Sequence, residues 1–184
     1  HRLTENSFTR TRKLTFPTLI AYFLNLSKSS YQQELDNFFN VVNPDHPPAQ
    51  VVTKSALSQA RKQLSHTAFI DLNRQVVDAY YAAHPELKTW HGFRLCAIDG
   101  SQLRVPDEPD IVDAFGVNPG KENQKDCPLA LVSVYYDVLN HISIDSSINH
   151  TTASERDCAA AHLNYAHSND LSILDRGYNA FWLY

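Results

Sequence analysis

The chain has 184 residues, 43% apolar and 20% charged, which is ordinary for a globular protein with material for one large or two small domains. No run approaches the ~18 apolar residues of a membrane span, and no signal-peptide pattern opens the sequence. Cys96, Cys127 and Cys158 are an odd number without Cys-x-x-Cys spacing, which argues for reduced thiols in the cytoplasm over a disulfide framework or a zinc site.

Residues 1–15 form a polar, basic arm (Arg2, Arg10, Arg12, Lys13) suited to phosphates. Pro17 fits the first turn of a helix that carries Leu19, Ile20, Phe23, Leu24 and Leu26 to about Ser27. A second helix is predicted from Tyr31 to about Val42, burying Leu35, Phe38 and Phe39. Residues 43–50, with Pro44, Pro47 and Pro48, read as a loop. Thr53 or Ser55 caps a third helix with Leu57, Ala60 and Leu64 on one face and Lys54, Arg61 and Lys62 off it. A fourth helix, about Thr67 to Ala83, is expected to bury Phe69, Leu72, Val76 and Tyr80. Helix, short connection and helix with exposed bases fit either a helix-turn-helix-like DNA reader or a plain bundle.

Near residue 90 the period changes, dividing the chain into a helical domain, 1–90, and a second domain, 91–184. Phe93–Asp99 is the first strand, ending in a turn at Gly100. Residues 101–126 read as irregular, and their acidic run (Asp107, Glu108, Asp110, Asp113) as a solvated loop. Leu129–Asp137 and His141–Ile148 form a hairpin. Thr152-Ala-Ser-Glu155 matches a capping box before a helix to about Tyr165 that buries Cys158, Ala159, Leu163 and Ala166. Leu171–Asp175 is a buried strand, and a helical segment opens near Tyr178. The order β-β-β-α-β-α after a helical front gives an α+β or α/β fold class with a mixed sheet.

The net charge of −4 is uneven: residues 1–62 carry 8 Lys or Arg against 4 Asp or Glu, residues 63–184 carry 8 against 16. A DNA-gripping front ahead of a carboxylate site fits this, and so does patchy surface charge. Asp99 and Asp175 each follow an apolar strand. Carboxylates at the ends of neighbouring strands suit Mg²⁺, which prefers one or two of them together with phosphate oxygens and water. The competing reading for each is a turn Asp accepting backbone N–H bonds. Histidine metal sites fare poorly: His162 and His167 are off one helix face, and His141 and His150 have no matching partner. No Gly-x-Ser-x-Gly elbow surrounds Ser101 or Ser154, and no Gly-rich phosphate loop is present.

Asp99-Gly100-Ser101, Tyr135-Tyr136-Asp137, Glu155-Arg156 and Asp175-Arg176-Gly177-Tyr178 together resemble a bacterial DDE transposase, closest to insertion sequence family four. Arg12-Lys13-Leu14-Thr15-Phe16 and Ser55-Ala56-Leu57-Ser58-Gln59-Ala60-Arg61 extend the resemblance over nearly the whole chain. It implies a helical DNA-binding domain before an RNase H-like catalytic domain, with Asp99 and Asp175 as the first two of three carboxylates holding two Mg²⁺ (or Mn²⁺) ions. It implies cleavage at an element's terminal inverted repeats, attack of the freed 3′-hydroxyl on target DNA, and a homodimer in a synaptic complex at the bacterial nucleoid. Arg10, Arg12, Lys13, Lys54, Arg61, Lys62 and Arg176 are the DNA-binding candidates. Tyr178 reads as a core aromatic or a base-stacking one. The family's third acid, a Glu within Tyr-x-x-Arg-x-x-x-Glu, has no counterpart here. With His1 as the first residue, no Met, and an apolar Phe181–Tyr184 at the end, the expectation is an N-terminal fragment, inactive alone. A non-catalytic DNA-binding remnant and a nuclease or resolvase on the same fold are the alternatives.

Overall fold

The computed structural model describes residues 1–5, 7–9, 13–25, 29–43, 52–84, 86–119 and 126–183. They form two compact units, His1–Asp71 and Leu72–Tyr184. That division lies inside a helix, whereas the change in sequence period falls near residue 90.

The first unit is helical. Helix α1 (Phe16–Leu24) starts where Thr15 Oγ1 accepts the Thr18 N–H, with Pro17 in its first turn. It stops at Leu24, short of the expected Ser27, because Asn25 is extended and its own N–H and amide turn back onto the carbonyls of Tyr22 and Ala21. Leu26 lies outside the described residues, as does most of the 43–50 loop. Helix α2 (Tyr31–Val42) has the predicted bounds and is capped by Ser30; α3 (Lys54–Arg61) is capped by Thr53. Leu14, Leu19, Tyr22, Leu35, Phe39, Val52 and Leu57 form the core, with Phe38, Ala60 and Leu64 packed against it.

Helix α4 (Thr67–Ala83) also has the predicted bounds, but its buried face is rotated by one residue. Val77 is buried and Val76 is 55% exposed. An Asn73 amide bonded to the Ser143 and Ile144 carbonyls, together with Tyr81, sets the inward face. Residues 73, 77 and 81 share one helix stripe at spacing four.

The second unit is α+β. Strand β1 (Arg94–Arg104) pairs antiparallel with β3 (Cys127–Asp137) along its length, and β3 pairs antiparallel with β4 (Ile142–His150). Strand β5 (Asp170–Ile173) lies parallel to β1 on the other side, giving the order β4-β3-β1-β5. Between β1 and β3, where irregular chain was expected, stand helix α5 (Pro109–Phe115) and the two-residue β2 (Val117–Asn118). Gly116 ends α5 at φ 86°, and a Cβ there would meet the His150 ring at 2.5 Å, so the position requires glycine.

Helix α6 (Glu155–His162) is capped by Ser154, whose Oγ accepts the Asp157 N–H; the expected Thr152 cap is displaced by two residues. A 3₁₀ turn, Leu163–Tyr165, continues it. Cys158 and Ala159 are buried as expected, but Leu163 is exposed and His162 takes the inward place. Cys96, Ile98, Tyr135, Ile144, Ala159 and Tyr178 make the core of this unit. Leu171 and Ile173, expected inside, are exposed on β5, while Leu174 packs on the core.

Candidate active site

Two ends of the β1–β5 pair carry different chemistry. At the start of both strands, Arg94 faces Asp170 across the parallel register. The guanidinium grips the carboxylate in a fork, Nε to Oδ1 at 2.7 Å and Nη2 to Oδ2 at 2.6 Å. The Tyr135 hydroxyl and the His167 N–H also donate to Oδ2. Burial alone would push the Asp170 carboxyl up, but Arg94 and these two donors hold it below the usual carboxylate range. Arg94 also lies over the Tyr81 ring, and the Tyr81 hydroxyl donates to buried Asp137 at 2.8 Å. Nothing in the sequence flagged this pair, because neither residue closes an apolar run and the partners, 76 positions apart, meet only through the strand pairing.

At the other end stand the two aspartates. Registered pairs run from Arg94 opposite Asp170 to Ala97 opposite Ile173. Asp99 lies on β1 two residues beyond the last registered pair, and Asp175 lies two residues beyond it past the end of β5, at the start of a 3₁₀ turn, so the two stand at the same offset from the paired stretch. Asp99 is not at a strand end, contrary to expectation: β1 continues through Gly100 to Arg104 because β3 pairs with it over that whole stretch. Each aspartate also accepts a local backbone N–H, but only Asp175 sits at a turn. Asp99 Oδ1 accepts the Gly100 N–H at 2.9 Å, and Asp175 Oδ1 accepts the Gly177 N–H at 2.7 Å, capping the 3₁₀ turn Arg176–Tyr178. In both, Oδ2 has no hydrogen bond among the described residues, and both side chains are exposed.

Two neighbours complete the surroundings. Glu155, the first residue of α6, lies on Gly100: a Cβ at residue 100 would stand 3.0 Å from Glu155 Oε1. Tyr178 is fully buried, settling it as a core aromatic, yet its hydroxyl has no hydrogen-bond partner among the described residues. Burial first, then the nearby charges of Glu155, Asp99 and Asp175, push that hydroxyl up to about 12. Beside it an open groove of about 300 Å³ is lined by Gln102, Thr151, Glu155, Arg156 and Gly177, among others. Among the described residues no three His, Cys, Asp or Glu side chains form a ready-made metal cage.

The basic candidates fall on two units. Lys13, Lys54, Arg61 and Lys62 are exposed in the first, and Arg176 is exposed beside Asp175 in the second. Arg10 and Arg12 lie outside the described residues. Arg156 Nε donates to the Gly177 carbonyl, tying the start of α6 to the Asp175 turn.

A Ser–His–Asp row is also present. His162 Nδ1 lies 2.7 Å from Asp145 Oδ2 and Nε2 lies 3.0 Å from Ser133 Oγ. Ser133 is fully buried and His162 is 1% exposed, so no substrate reaches the hydroxyl. The row ties α6 to β3 and β4.

Comparison with known proteins finds distant relatives. The chain is 27% identical over 127 residues, 68% of its length, to "Putative transposase InsZ" of Escherichia coli K12. It is 25% identical over 158 residues, 86% of its length, to "Transposase InsG for insertion sequence element IS4" of the same organism. The chain is a distant relative of insertion-sequence transposases. The matched stretches span 42% and 35% of those two proteins, less than half of either. No protein-family profile and no solved structure matches. No helix among the described residues is long and apolar enough to cross a membrane.

Proposed function

We propose that this chain carries the first two carboxylates of a DDE-type DNA transposase, Asp99 and Asp175, on an RNase H-like sheet. The observation that supports it most is the parallel β1–β5 register, from whose last pair two aspartates separated by 76 positions stand at the same two-residue offset. The sheet order β4-β3-β1-β5, antiparallel except for its last pair, is the one expected of the opening part of such a fold.

The residues fit a divalent ion. Their donors are hard oxygens, one on each aspartate lacks a protein hydrogen bond, and an unpartnered buried hydroxyl adjoins them. Asp99 and Asp175 would hold Mg²⁺ or Mn²⁺ in company with DNA phosphate oxygens and water, as such ions prefer. When bound, two such ions lower the cost of charge on the attacking and leaving oxygens of a phosphodiester. The chain's own contribution is rigidity. Each carboxylate is fixed by a backbone N–H of its own segment, Gly100 for Asp99 and Gly177 for Asp175, and the fork at the far end holds the two strands in register. Arg176 and Arg156 flank the Asp175 turn and offer positive charge to a phosphate.

On this reading the substrates are the element's terminal inverted repeats and target DNA, cut and joined through the freed 3′-hydroxyl by a homodimer at the nucleoid. Lys13, Lys54, Arg61 and Lys62, with Arg10 and Arg12, would grip the backbone in a salt-dependent manner. The test is Asp99→Asn and Asp175→Asn in the full chain, each expected to abolish end cleavage while sparing DNA binding. Normal cleavage and joining by both variants would overturn the proposal.

A further inference from the structure

We propose that Arg156, the second residue of α6, is a positioning residue for Asp175 and acts through the backbone of Gly177. The inference rests on the aspartate reading above and adds to it a residue from outside the strands.

Two hydrogen bonds form the relay. Arg156 Nε donates to the Gly177 carbonyl at 3.0 Å, and the Gly177 N–H donates to Asp175 Oδ1 at 2.7 Å. Gly177 is thus held by α6 on its carbonyl side and holds Asp175 on its amide side. The turn's own backbone bonds are weaker. Tyr178 N–H to the Asp175 carbonyl and Asn179 N–H to the Arg176 carbonyl measure 3.3 and 3.4 Å, beyond the roughly 2.7–3.2 Å usual for such bonds. A 3₁₀ turn has poor hydrogen-bond geometry of its own, and this one is three residues long. Leu174 and Tyr178 anchor its two ends in the core, and Arg156 holds the peptide between them. A Cβ added at residue 177 would stand 3.0 Å from Asp175 Oδ1. The carboxylate therefore lies close over a residue without a side chain, and a small movement of that residue carries the acid with it.

Arg156 is well placed to hold the turn, because the start of its helix is itself fixed. Ser154 caps α6, and Glu155 lies against Gly100, whose N–H donates to Asp99 Oδ1. The first turn of α6 thus packs on the glycine that bonds one acid and hydrogen-bonds the glycine that bonds the other. The Arg156 side chain is exposed and, among the described residues, makes no other hydrogen bond or ion pair. Its outer nitrogens remain open to the groove that it lines with Gln102 and Thr151, while Nε, nearest the backbone, holds the turn. Charge and position are separable in this side chain. Lysine keeps the charge but has a methylene where arginine has Nε.

The test compares Arg156→Lys, Arg156→Ala and Asp175→Asn with the unaltered full chain, each checked by circular dichroism for retained helices. Cleavage is followed on a duplex carrying a terminal inverted repeat of the encoding element, with kcat and KM separated. Nitrogen-15 glycine labelling supplies a second readout, because the Gly177 amide reports on Asp175 and the Gly92 amide on the far end of the sheet. Both Arg156 variants are expected to lower kcat by about tenfold to a hundredfold, with KM for Arg156→Lys within about twofold. In both, the Gly177 signal should move while Gly92 stays in place. Normal kcat in Arg156→Lys would mean that charge alone is needed, and the inference falls. It falls equally if kcat drops with the Gly177 signal unmoved, since the loss then takes another route than the turn. A displaced Gly177 signal with normal kcat would reduce the contact to a structural tie and also overturn it. In these three cases the aspartate reading stands as long as Asp175→Asn abolishes cleavage. Normal cleavage by Asp175→Asn would remove that reading and this inference together.

Discussion

The two ends of the β1–β5 pair use the same residue types for opposite purposes. At the Arg94 end a carboxylate is buried, paired and fully bonded. At the Asp99 end the two aspartates are exposed and, among the described residues, have no ion pair and bond only a nearby backbone N–H of their own segment. Asp170 is the acid whose surroundings hold it ionised, and it is structural. The acids proposed for chemistry keep an oxygen free. A perturbed carboxyl is therefore a poor guide to function here, and spare coordination capacity is a better one.

The contrast can be broken most severely at the structural end. Asp170→Asn leaves Arg94 buried without its counter-charge, and is expected to cost about 3–5 kcal/mol by urea denaturation. The same group gives the acid limb its sign. Because the folded carboxyl lies below its unfolded value of roughly 4, its stabilising contribution is present above that pH and is lost as pH falls through the folded value. Asp170→Asn should flatten that limb; an unchanged acid profile would contradict the assignment. A smaller loss is expected at His162, where alanine would leave the Ser133 hydroxyl buried and open a cavity, at about 2–4 kcal/mol. The mildest change sharpens the comparison from the other side. Tyr178→Phe removes an unbonded buried hydroxyl and should be neutral or stabilising by up to about 1 kcal/mol by thermal melting. A large destabilisation would show that the hydroxyl is bonded after all.

The sequence made some of this legible. The bounds of α2 and α4 followed from apolar spacing, which is a local signal. Asp99 and Asp175 stood out because each closes an apolar run. What could not be read depended on distant partners. β1 outruns Asp99 only because β3 supplies hydrogen bonds beyond it. Val77 displaces Val76 because α4 must present Asn73 and Tyr81 as well as an apolar stripe. The Arg94–Asp170 fork and the His162 row join residues whose separations of 76, 17 and 29 leave no periodic trace. Glu155 was visible only as a helix start, since its approach to Gly100 exists only once α6 lies against the sheet.

The fork also acts as a ruler. Arg94 precedes Asp99 by the same five residues that separate Asp170 from Asp175, and parallel strands advance at the same ~3.3 Å per residue. The equal spacing of the two acids from the fork is thus written into two short stretches. The loops between β1, β3, β4 and α6 can change in length without altering that count, whereas β3, which pairs with β1, and the start of α6, which holds the Asp175 turn, cannot. A single inserted residue between 94 and 99, or between 170 and 175, would put one acid a full step ahead of the other.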